Sequence, residues 1–410
     1  MTTFLFTSAP LFSHLDWGGY LKTAQELTGR GHKVVWAMEE GEVAERIRQA
    51  GVGVAVVETV GFDWHLPPEP HDYAPESWAA YRLQRNFAAW LPQEKVTQAT
   101  QALIALAQQL QAQVIVSDPF LASAALATEA LDLPYAIAGM PAISPVEKVW
   151  LPAEGEVFKT GLARLDALCA QFKVSGRHFI QLNAGVWPHS PDLHLSFFSE
   201  DWYDWRGDVV LPQNKFVGGA RAQPQPPPPP WLDALPPDRP LIFVTLGSAF
   251  NYEPEFFNTA IKAVASLGVF AVAATHDAGL TALLAEHFPA ELALIRDAFE
   301  TGYLFPRLRG LVQHGGPGAT HAAILHALPQ IIVAPGPGQG TQAHLVSRAG
   351  LGKFLHLAEI TLENLRALIA SVVASPQIQA NAARWQAKLA ALPGIAGAAD
   401  ALEGVAGGER

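Results

Sequence analysis

The chain has 410 residues, half of them hydrophobic, which is enough to build two domains of ordinary size. Its formal net charge is −11, and no basic cluster stands out, so the composition argues against a nucleic-acid-binding protein. The single cysteine, Cys169, excludes an intramolecular disulfide and a metal site built on cysteines, and it suits a reducing cytoplasm.

The N-terminal residues predict a first strand rather than a targeting segment. The segment MTTFLFTSAP has no basic region before its apolar residues, so we interpret Thr3–Thr7 as a strand. We find no run of about 18 apolar residues and expect no membrane-spanning helix. A cytoplasmic protein is therefore expected, and peripheral contact with a membrane remains compatible with the sequence.

Strands and helices alternate through the first part of the chain. A doubly wound parallel sheet is typical of this rhythm, which predicts an α/β fold. The predicted strands are Thr3–Thr7, Lys33–Ala37, Val52–Val57, Val114–Ser117 and Tyr135–Ala138, and the predicted helices are Gly19–Thr28, Glu42–Ala50, Glu94–Gln111 and Leu121–Leu131.

The rhythm breaks in the middle of the chain. Gly61–Trp90 is rich in aromatic residues and prolines, Ser144–Phe172 is predicted to be helical, and the following stretch up to Trp205 is predicted to be irregular. The segment 223–230 is almost entirely proline, and polyproline forms an extended, semi-rigid spacer. We therefore expect a domain boundary there.

A second βα unit follows the proline-rich segment. Its predicted strands are Leu241–Leu246, Val269–Ala274, Leu292–Ile295, Leu311–Val312, Gln330–Ala334 and Lys353–Leu355, and its predicted helices are Pro254–Leu267, Leu362–Ala374 and Gln377–Leu392, with a frayed tail at Pro393–Arg410. We predict an N-terminal domain 1–222, a linker 223–240, a C-terminal domain 241–375 and a terminal helix and tail 376–410. Two such Rossmann-like domains are expected to face each other across a ligand-binding cleft.

A glycine-rich turn after a strand is the most informative motif. His314, Gly315, Gly316, Pro317 and Gly318 follow the apolar pair Leu311–Val312 and open a helix. The first N–H groups of a helix attract anions, and glycine lets a ligand approach the backbone. We predict a diphosphate site, the alternative being a tight turn whose glycines only solve a steric problem.

The residues around this turn resemble the donor-sugar signature of family 1 (UDP-glycosyltransferase-like) glycosyltransferases. The turn is followed by Pro335, Gln339 and Gly350–Leu351–Gly352 at the offsets of that signature. Further segments of resemblance are PLFSH, RGHKV, VSDPF and WLDALPPDRPLIFVTLGS, and the first is most similar to carotenoid glycosyltransferases. The resemblance implies the GT-B fold and transfer of a sugar from a nucleotide diphosphate, with inversion and without a divalent metal.

The resemblance also implies a catalytic pair in the N-terminal domain. His14 would remove the proton of the acceptor hydroxyl, and Asp118 would orient the imidazole and stabilise its cationic form. An alternative is a plain loop histidine, with Asp118 capping the next helix. The spacing to Gly31–His32 is two residues longer than usual, so Asp16 stays a second candidate for the base.

The donor site implied by the resemblance involves Ser248, His314, Gly315, Gly316, Gly318, Ala319 and Gln339. Three positions depart from the family pattern: Ala319 stands at a threonine, Ala322 at a ribose-binding glutamate and Gly338 at an aspartate that contacts the sugar. Thr320 follows the first of these. Phe299–Glu300–Thr301 is also atypical of the segment near the base, which leaves the sugar and the base open, UDP or dTDP.

Aromatic residues predict an apolar acceptor site. Asp16, Trp17 and Phe120, with aromatic side chains of Gly61–Trp90, would contact a lipophilic or phenolic acceptor, although core packing explains at least half of these aromatics. The sequence contains no metal-binding motif, so no cofactor besides the donor sugar is expected. We predict an inverting glycosyltransferase, either a monomer or a homodimer. The alternative is a GT-B relative that binds a ligand without catalysis.

Overall fold

The computed structural model describes residues 1–16, 18–63, 75–143, 152–182, 185–203, 209–221, 224, 227–247, 253–334 and 337–408. The chain divides into two compact units. The first comprises Met1–Glu200, Arg206–Val217 and Pro393–Arg410, and the second comprises Asp201–Trp205 and Gly218–Leu392.

The first unit contains a seven-stranded parallel sheet of order β3-β2-β1-β4-β5-β8-β9 and a separate antiparallel hairpin, β6-β7. The central strands β1, β4 and β5 are almost entirely buried apolar runs, as expected for a parallel sheet covered on both faces. The strands are β1 Thr3–Thr7, β2 Lys33–Met38, β3 Gly53–Val56, β4 Val114–Ser117, β5 Tyr135–Ala138, β6 Phe179–Leu182, β7 Gly185–Pro188, β8 Leu193–Ser196 and β9 Asn214–Phe216.

Helices cover the faces of this sheet. The helix α6 is rich in alanine and is buried along most of its length. Its small side chains let it pack close to its neighbours. The helices of this part are α1 Phe12–Asp16, α2 Tyr20–Gly29, α3 Glu42–Gln49, α4 Pro75–Trp90, α5 Gln93–Leu110, α6 Ala122–Leu131, α7 Pro152–Phe172 and α8 Glu200–Tyr203.

The second unit contains a six-stranded parallel sheet of order β12-β11-β10-β13-β14-β15. Its strands are β10 Leu241–Thr245, β11 Phe270–Ala274, β12 Ala293–Arg296, β13 Leu308–Gln313, β14 Gln330–Ala334 and β15 Gly352–His356. The remaining helices are α9 Pro254–Ala265, α10 Ala278–His287, α11 Thr301–Leu304, α12 Pro317–Leu325, α13 Pro337–Arg348, α14 Leu362–Val373, α15 Pro376–Ala390 and α16 Gly394–Ala406.

Two sequence predictions are wrong in the structure. The stretch before Trp205 is not irregular, because β6 and β7 form a hairpin and β8 pairs with β5 in the first sheet. The tail Pro393–Arg410 is not frayed, because its helix α16 buries Ala398, Ala399, Leu402 and Val405 against the first unit. This helix therefore belongs with the N-terminal unit, although it lies at the C-terminal end of the chain.

One helical stretch of the described chain, Pro376–Ala406, is long and apolar enough to cross a membrane by length and composition alone. The stretch is divided into α15 and α16 at Pro393, and each of the two helices buries an apolar face in its own unit. We therefore interpret both as amphipathic helices that each pack one face on a unit.

Candidate functional site

His14 and Asp118 meet at one edge of the first sheet. His14 lies on α1, the short helix after β1, and Asp118 directly follows β4. Because β1 and β4 are parallel neighbours, with Thr7 beside Ser117, both residues lie beyond the carboxyl ends of adjacent strands. His14 Nδ1 is 2.7 Å from Asp118 Oδ2, so the structure brings the predicted pair together.

The carboxylate of Asp118 is fully buried and held by three donors. It accepts hydrogen bonds from the backbone N–H of Ala9 at 2.8 Å and of Phe120 at 2.9 Å, and from His14. The N-cap of α6 is Leu121, which makes no side-chain cap, so Asp118 is not simply the cap of that helix. A neutral imidazole that donates from Nδ1 carries its lone pair on Nε2, the atom that a base would use.

A buried tyrosine supports the two strands beneath this pair. The hydroxyl of Tyr20 donates to the carbonyl oxygens of Thr7 at 2.9 Å and Val116 at 3.0 Å, which ties β1 to β4. Burial, and then the charge of Asp118, raise the pKa of Tyr20 well above its usual value. The phenol therefore stays neutral and acts as a hydrogen-bond donor.

Aromatic rings surround the imidazole of His14. Its centroid lies 5.1 Å from that of Phe120 and 6.2 Å from that of Phe62. Phe120 contacts Trp187 edge-on at 5.4 Å, and Trp187 stacks on Trp90 at 5.0 Å. Phe120 therefore lies beside the predicted base, and its contact with an acceptor stays a prediction.

Sequence reasoning missed Trp187, which lies on β7 in the stretch predicted to be irregular. The high density of Trp and Phe in that stretch was the only signal available. Trp90 is buried and packs in a core cluster, as expected for part of the aromatic set. The side chain of Asp16 and the whole of Trp17 lie outside the described residues, so their proposed contacts stay predictions.

His314 follows β13 directly and is enclosed by glycines. A Cβ on Gly247 would lie 2.5 Å from His314 Cε1, and one on Gly316 would lie 2.5 Å from Nε2. The ring therefore fits only because both positions lack a side chain. Burial, and then the charge of His276, lower the pKa of His314 to about 4, so the imidazole is neutral at neutral pH.

The glycine-rich turn opens α12 as predicted. Gly315 has a φ of 90°, Gly316 is the N-cap and Pro317 begins the helix. No described side chain caps this helix, and an added Cβ on Gly318 would meet no described atom within 4 Å. The N–H groups of Gly318 and Ala319 lie in the first turn, where helices bind anions.

Three residues at or next to positions that differ from the family pattern make contacts within the second unit. Thr320 is buried, and its Oγ1 accepts a hydrogen bond from Gln313 Nε2 at 3.2 Å, so it does not substitute for the threonine missing at Ala319. Ala322 packs against an apolar cluster. Glu300 accepts a hydrogen bond of 2.5 Å from the indole of Trp231. Each of these residues therefore has a contact within its own unit.

Two predicted donor contacts cannot be placed. Ser248 and the side chain of Gln339 lie outside the described residues, and both stay predictions. Within the part of the chain that the structure describes, no group of three or more His, Cys, Asp or Glu side chains is arranged to hold a metal ion.

The C-terminal residues 267–405 match the family described as erythromycin biosynthesis protein CIII-like, C-terminal domain. The chain is 30% identical over 218 residues to 4'-demethylrebeccamycin synthase from Lentzea aerocolonigenes. This alignment covers 53% of this chain and 50% of that protein. It is 25% identical over 401 residues to demethyllactenocin mycarosyltransferase from Streptomyces fradiae. That alignment covers 94% of this chain and 83% of that protein.

A solved structure shares the fold over nearly its whole length. It is the spinosyn rhamnosyltransferase SpnG complexed with thymidine diphosphate, with a TM-score of 0.71 and 19% sequence identity. The match covers 98% of this chain and 100% of that chain. The predicted α/β fold with two parallel-sheet domains is thereby confirmed.

Proposed function

We propose that this chain, which belongs to the glycosyltransferases of the GT-B fold with an erythromycin CIII-like C-terminal domain, moves a hexose from a nucleoside diphosphate sugar to an acceptor hydroxyl. The observation that carries the proposal is the 2.7 Å contact between His14 and the buried carboxylate of Asp118. A histidine oriented in this way is suited to remove a proton.

The acceptor half of the reaction would take place at His14. Its Nε2 would accept the proton of the acceptor hydroxyl while that oxygen bonds to the anomeric carbon, and Asp118 would stabilise the imidazolium that forms. A general base of this kind typically contributes roughly 10²–10⁴-fold to the rate. Attack on the face opposite the leaving group would invert the anomeric centre.

The donor half would take place at the glycine-rich turn. As the glycosidic bond to the diphosphate breaks, its electron pair passes to the β-phosphate oxygen. Donors fixed before the reaction stabilise such charge most effectively. We assign this role to His314 and to the N–H groups of Gly318 and Ala319, which open α12.

The donor is proposed to be a dTDP-sugar, with UDP as the second choice. The spinosyn rhamnosyltransferase structure is complexed with thymidine diphosphate, and the Streptomyces fradiae relative is named a mycarosyltransferase. Ala319, Ala322 and Gly338 each replace a polar residue of the family pattern. Fewer polar contacts favour a deoxyhexose, because a sugar with fewer hydroxyl groups needs fewer partners.

The acceptor is proposed to be a lipophilic or aromatic alcohol. The rings of Phe62 and Phe120 lie beside that of His14, and Trp187 contacts Phe120; such rings favour apolar and planar surfaces. We propose that transfer is independent of a metal, with the donor groups at the start of α12 in place of the cation.

A ligand-binding relative without catalysis is the second candidate. The replacements at Ala319, Ala322 and Gly338 favour it, since each removes a contact to the donor. The contact between His14 and Asp118 favours the enzyme, because a binding protein has no need of an oriented base.

Transfer can be tested by product mass. The protein is incubated with dTDP- and UDP-sugars and a mixture of phenols and lipophilic alcohols, with EDTA present. We expect a mass gain of one hexose or deoxyhexose, and an inverted anomeric configuration in the product. Nucleotide binding without any product or nucleoside diphosphate release would favour the binding protein. Product that forms only without EDTA would overturn metal independence.

A further inference from the structure

His276 has an unusual backbone conformation at the carboxyl edge of the second sheet. It follows β11 with a φ of 55°, in the left-handed region that non-glycine residues rarely occupy. Its backbone N–H donates to the carbonyl oxygen of Asp297 at 2.9 Å, which holds the loop in place. Strained residues of this kind concentrate at functional sites, so the role of His276 needs an explanation.

The sheet brings His276 and His314 to either side of β10. Thr245, the last residue of β10, is the register partner of both Ala274 on β11 and Gln313 on β13. The two histidines follow those partners by two residues and by one. Each loop therefore leaves the sheet beside the end of β10, at the same edge.

Gly247, just after β10, makes room for the ring of His314 because it has no side chain. It has a φ of 70°, and a Cβ there would lie 2.5 Å from His314 Cε1. The ring of His314 thus lies over the backbone just after β10. The loop of His276 lies on the other side of β10, so the ring points from β13 towards that loop. The charge of His276, acting after burial, lowers the pKa of His314.

The charges around His276 are mixed. The side chain of His276 is exposed at its outer part, desolvation of the remainder lowers its pKa, and the carboxylate of Asp297 acts in the opposite direction. Asp277 is its neighbour in the loop, and Arg296 ends the adjacent strand β12. With His314 also neutral, the pair carries no charge near pH 7, and an arriving anion would favour protonation of one ring.

We propose that His276 is a second imidazole of the donor diphosphate site and takes up a proton when a nucleoside diphosphate binds there. The inference rests on the proposed function, because it needs the diphosphate to bind at the glycine-rich turn. The imidazolium would offset the charge that gathers on the β-phosphate oxygen as the glycosidic bond breaks. It would do so where other transferases use a divalent cation.

Proton uptake can be measured by titration calorimetry with dTDP as the probe. The binding enthalpy is compared at pH 7.2 in two buffers of different ionisation enthalpy, PIPES and Tris, and its slope gives the number of protons exchanged. The key variant is His276→Asn, because asparagine tolerates a left-handed backbone but does not titrate. His276→Gly removes the strain altogether, and His287→Asn on the exposed face of α10 is the matched control.

We expect the wild type and His287→Asn to take up roughly half a proton more than His276→Asn and His276→Gly, because the bound anion raises the pKa of an imidazole that is neutral in the free protein. The difference between variants cancels the proton exchanged by the nucleotide itself. Equal proton exchange in all four proteins, with dTDP bound by each, would overturn the role of His276. Failure of the wild type to bind either dTDP or UDP would overturn the proposed donor site, and this inference with it.

Discussion

Buried histidines make the first unit sensitive to acid, and His194 on β8 allows the size of this effect to be worked out. Its side chain is almost fully buried, with Nε2 accepting the N–H of Ser190 at 2.9 Å and Nδ1 lying 3.1 Å from the carbonyl oxygen of Met140. The contact with Ser190 requires the neutral ring, because a protonated Nε2 cannot accept a hydrogen bond, whereas Nδ1 donates to Met140 in either state. Burial lowers the pKa of His194 to about 3.

The sign of the effect follows from the two pKa values. The unfolded chain binds a proton at this histidine with a pKa of about 6.5, and the folded chain binds it only near pH 3. The stability that the neutral ring contributes is therefore complete above about pH 6.5 and is lost as the pH falls below it. At about 1.4 kcal/mol per pH unit, the loss between pH 7 and pH 5 is about 2 kcal/mol.

A glutamine variant separates this loss from other effects of acid. In His194→Gln the side chain can still donate and accept a hydrogen bond but does not titrate. Urea unfolding is followed at pH 7 and pH 5, with the transition of each unit fitted separately. We expect the wild type to lose about 2 kcal/mol more than His194→Gln on acidification, and His287→Gln to behave as wild type. An equal loss in wild type and His194→Gln would refute the reasoning.

Three substitutions test the two halves of the site. Asp118→Ala should lower the free energy of unfolding by about 2 kcal/mol or more, because the N–H of Ala9 loses its buried acceptor. An unchanged denaturation midpoint would contradict this hydrogen bond. Gly316→Ala should lower both the melting temperature and the affinity for dTDP, because its Cβ would clash with the ring of His314. Gly318→Ala should keep the melting temperature and weaken dTDP binding alone, and wild-type affinity would show that no phosphate lies there.

Much of the fold was predictable because the central strands are short, continuous apolar runs between turn residues. The bounds of β1, β4, β5 and β14 agree with the predicted ones for this reason. The strands β8 and β9 were missed because neither is a continuous apolar run: β8 contains His194 and Ser196, and β9 begins with Asn214 and Lys215. They are defined as strands by the pairing of β8 with β5 and of β9 with β8.

The C-terminal helix was missed for a different reason. The segment after Pro393 is rich in glycine and alanine, which weakens any helical prediction from the sequence. Its stability comes from packing on α2 and from Arg30, whose guanidinium contacts Asp400 at 2.6 Å and Glu403 at 3.0 Å. Such contacts between distant parts of the chain cannot be read from local pattern.

The candidate site was predictable where a motif marks the residue. His14, Asp118 and His314 each follow a strand in a recognisable segment, and the parallel register brings the first two together. His276 and Trp187 lie in no such motif. The role proposed for His276 depends on a backbone angle and on the neighbouring strand, and the contact of Trp187 depends on a hairpin outside the main sheet.

The most direct test of the central claim is the rate of sugar transfer by His14→Ala, measured with the donor and acceptor found by product mass and compared with its affinity for dTDP. We expect transfer to fall by roughly 10²–10⁴-fold while dTDP binding stays at the wild-type level, because the base acts on the acceptor and the nucleotide binds at α12. Full activity in His14→Ala would contradict the assignment of the base and leave Asp16 as the candidate.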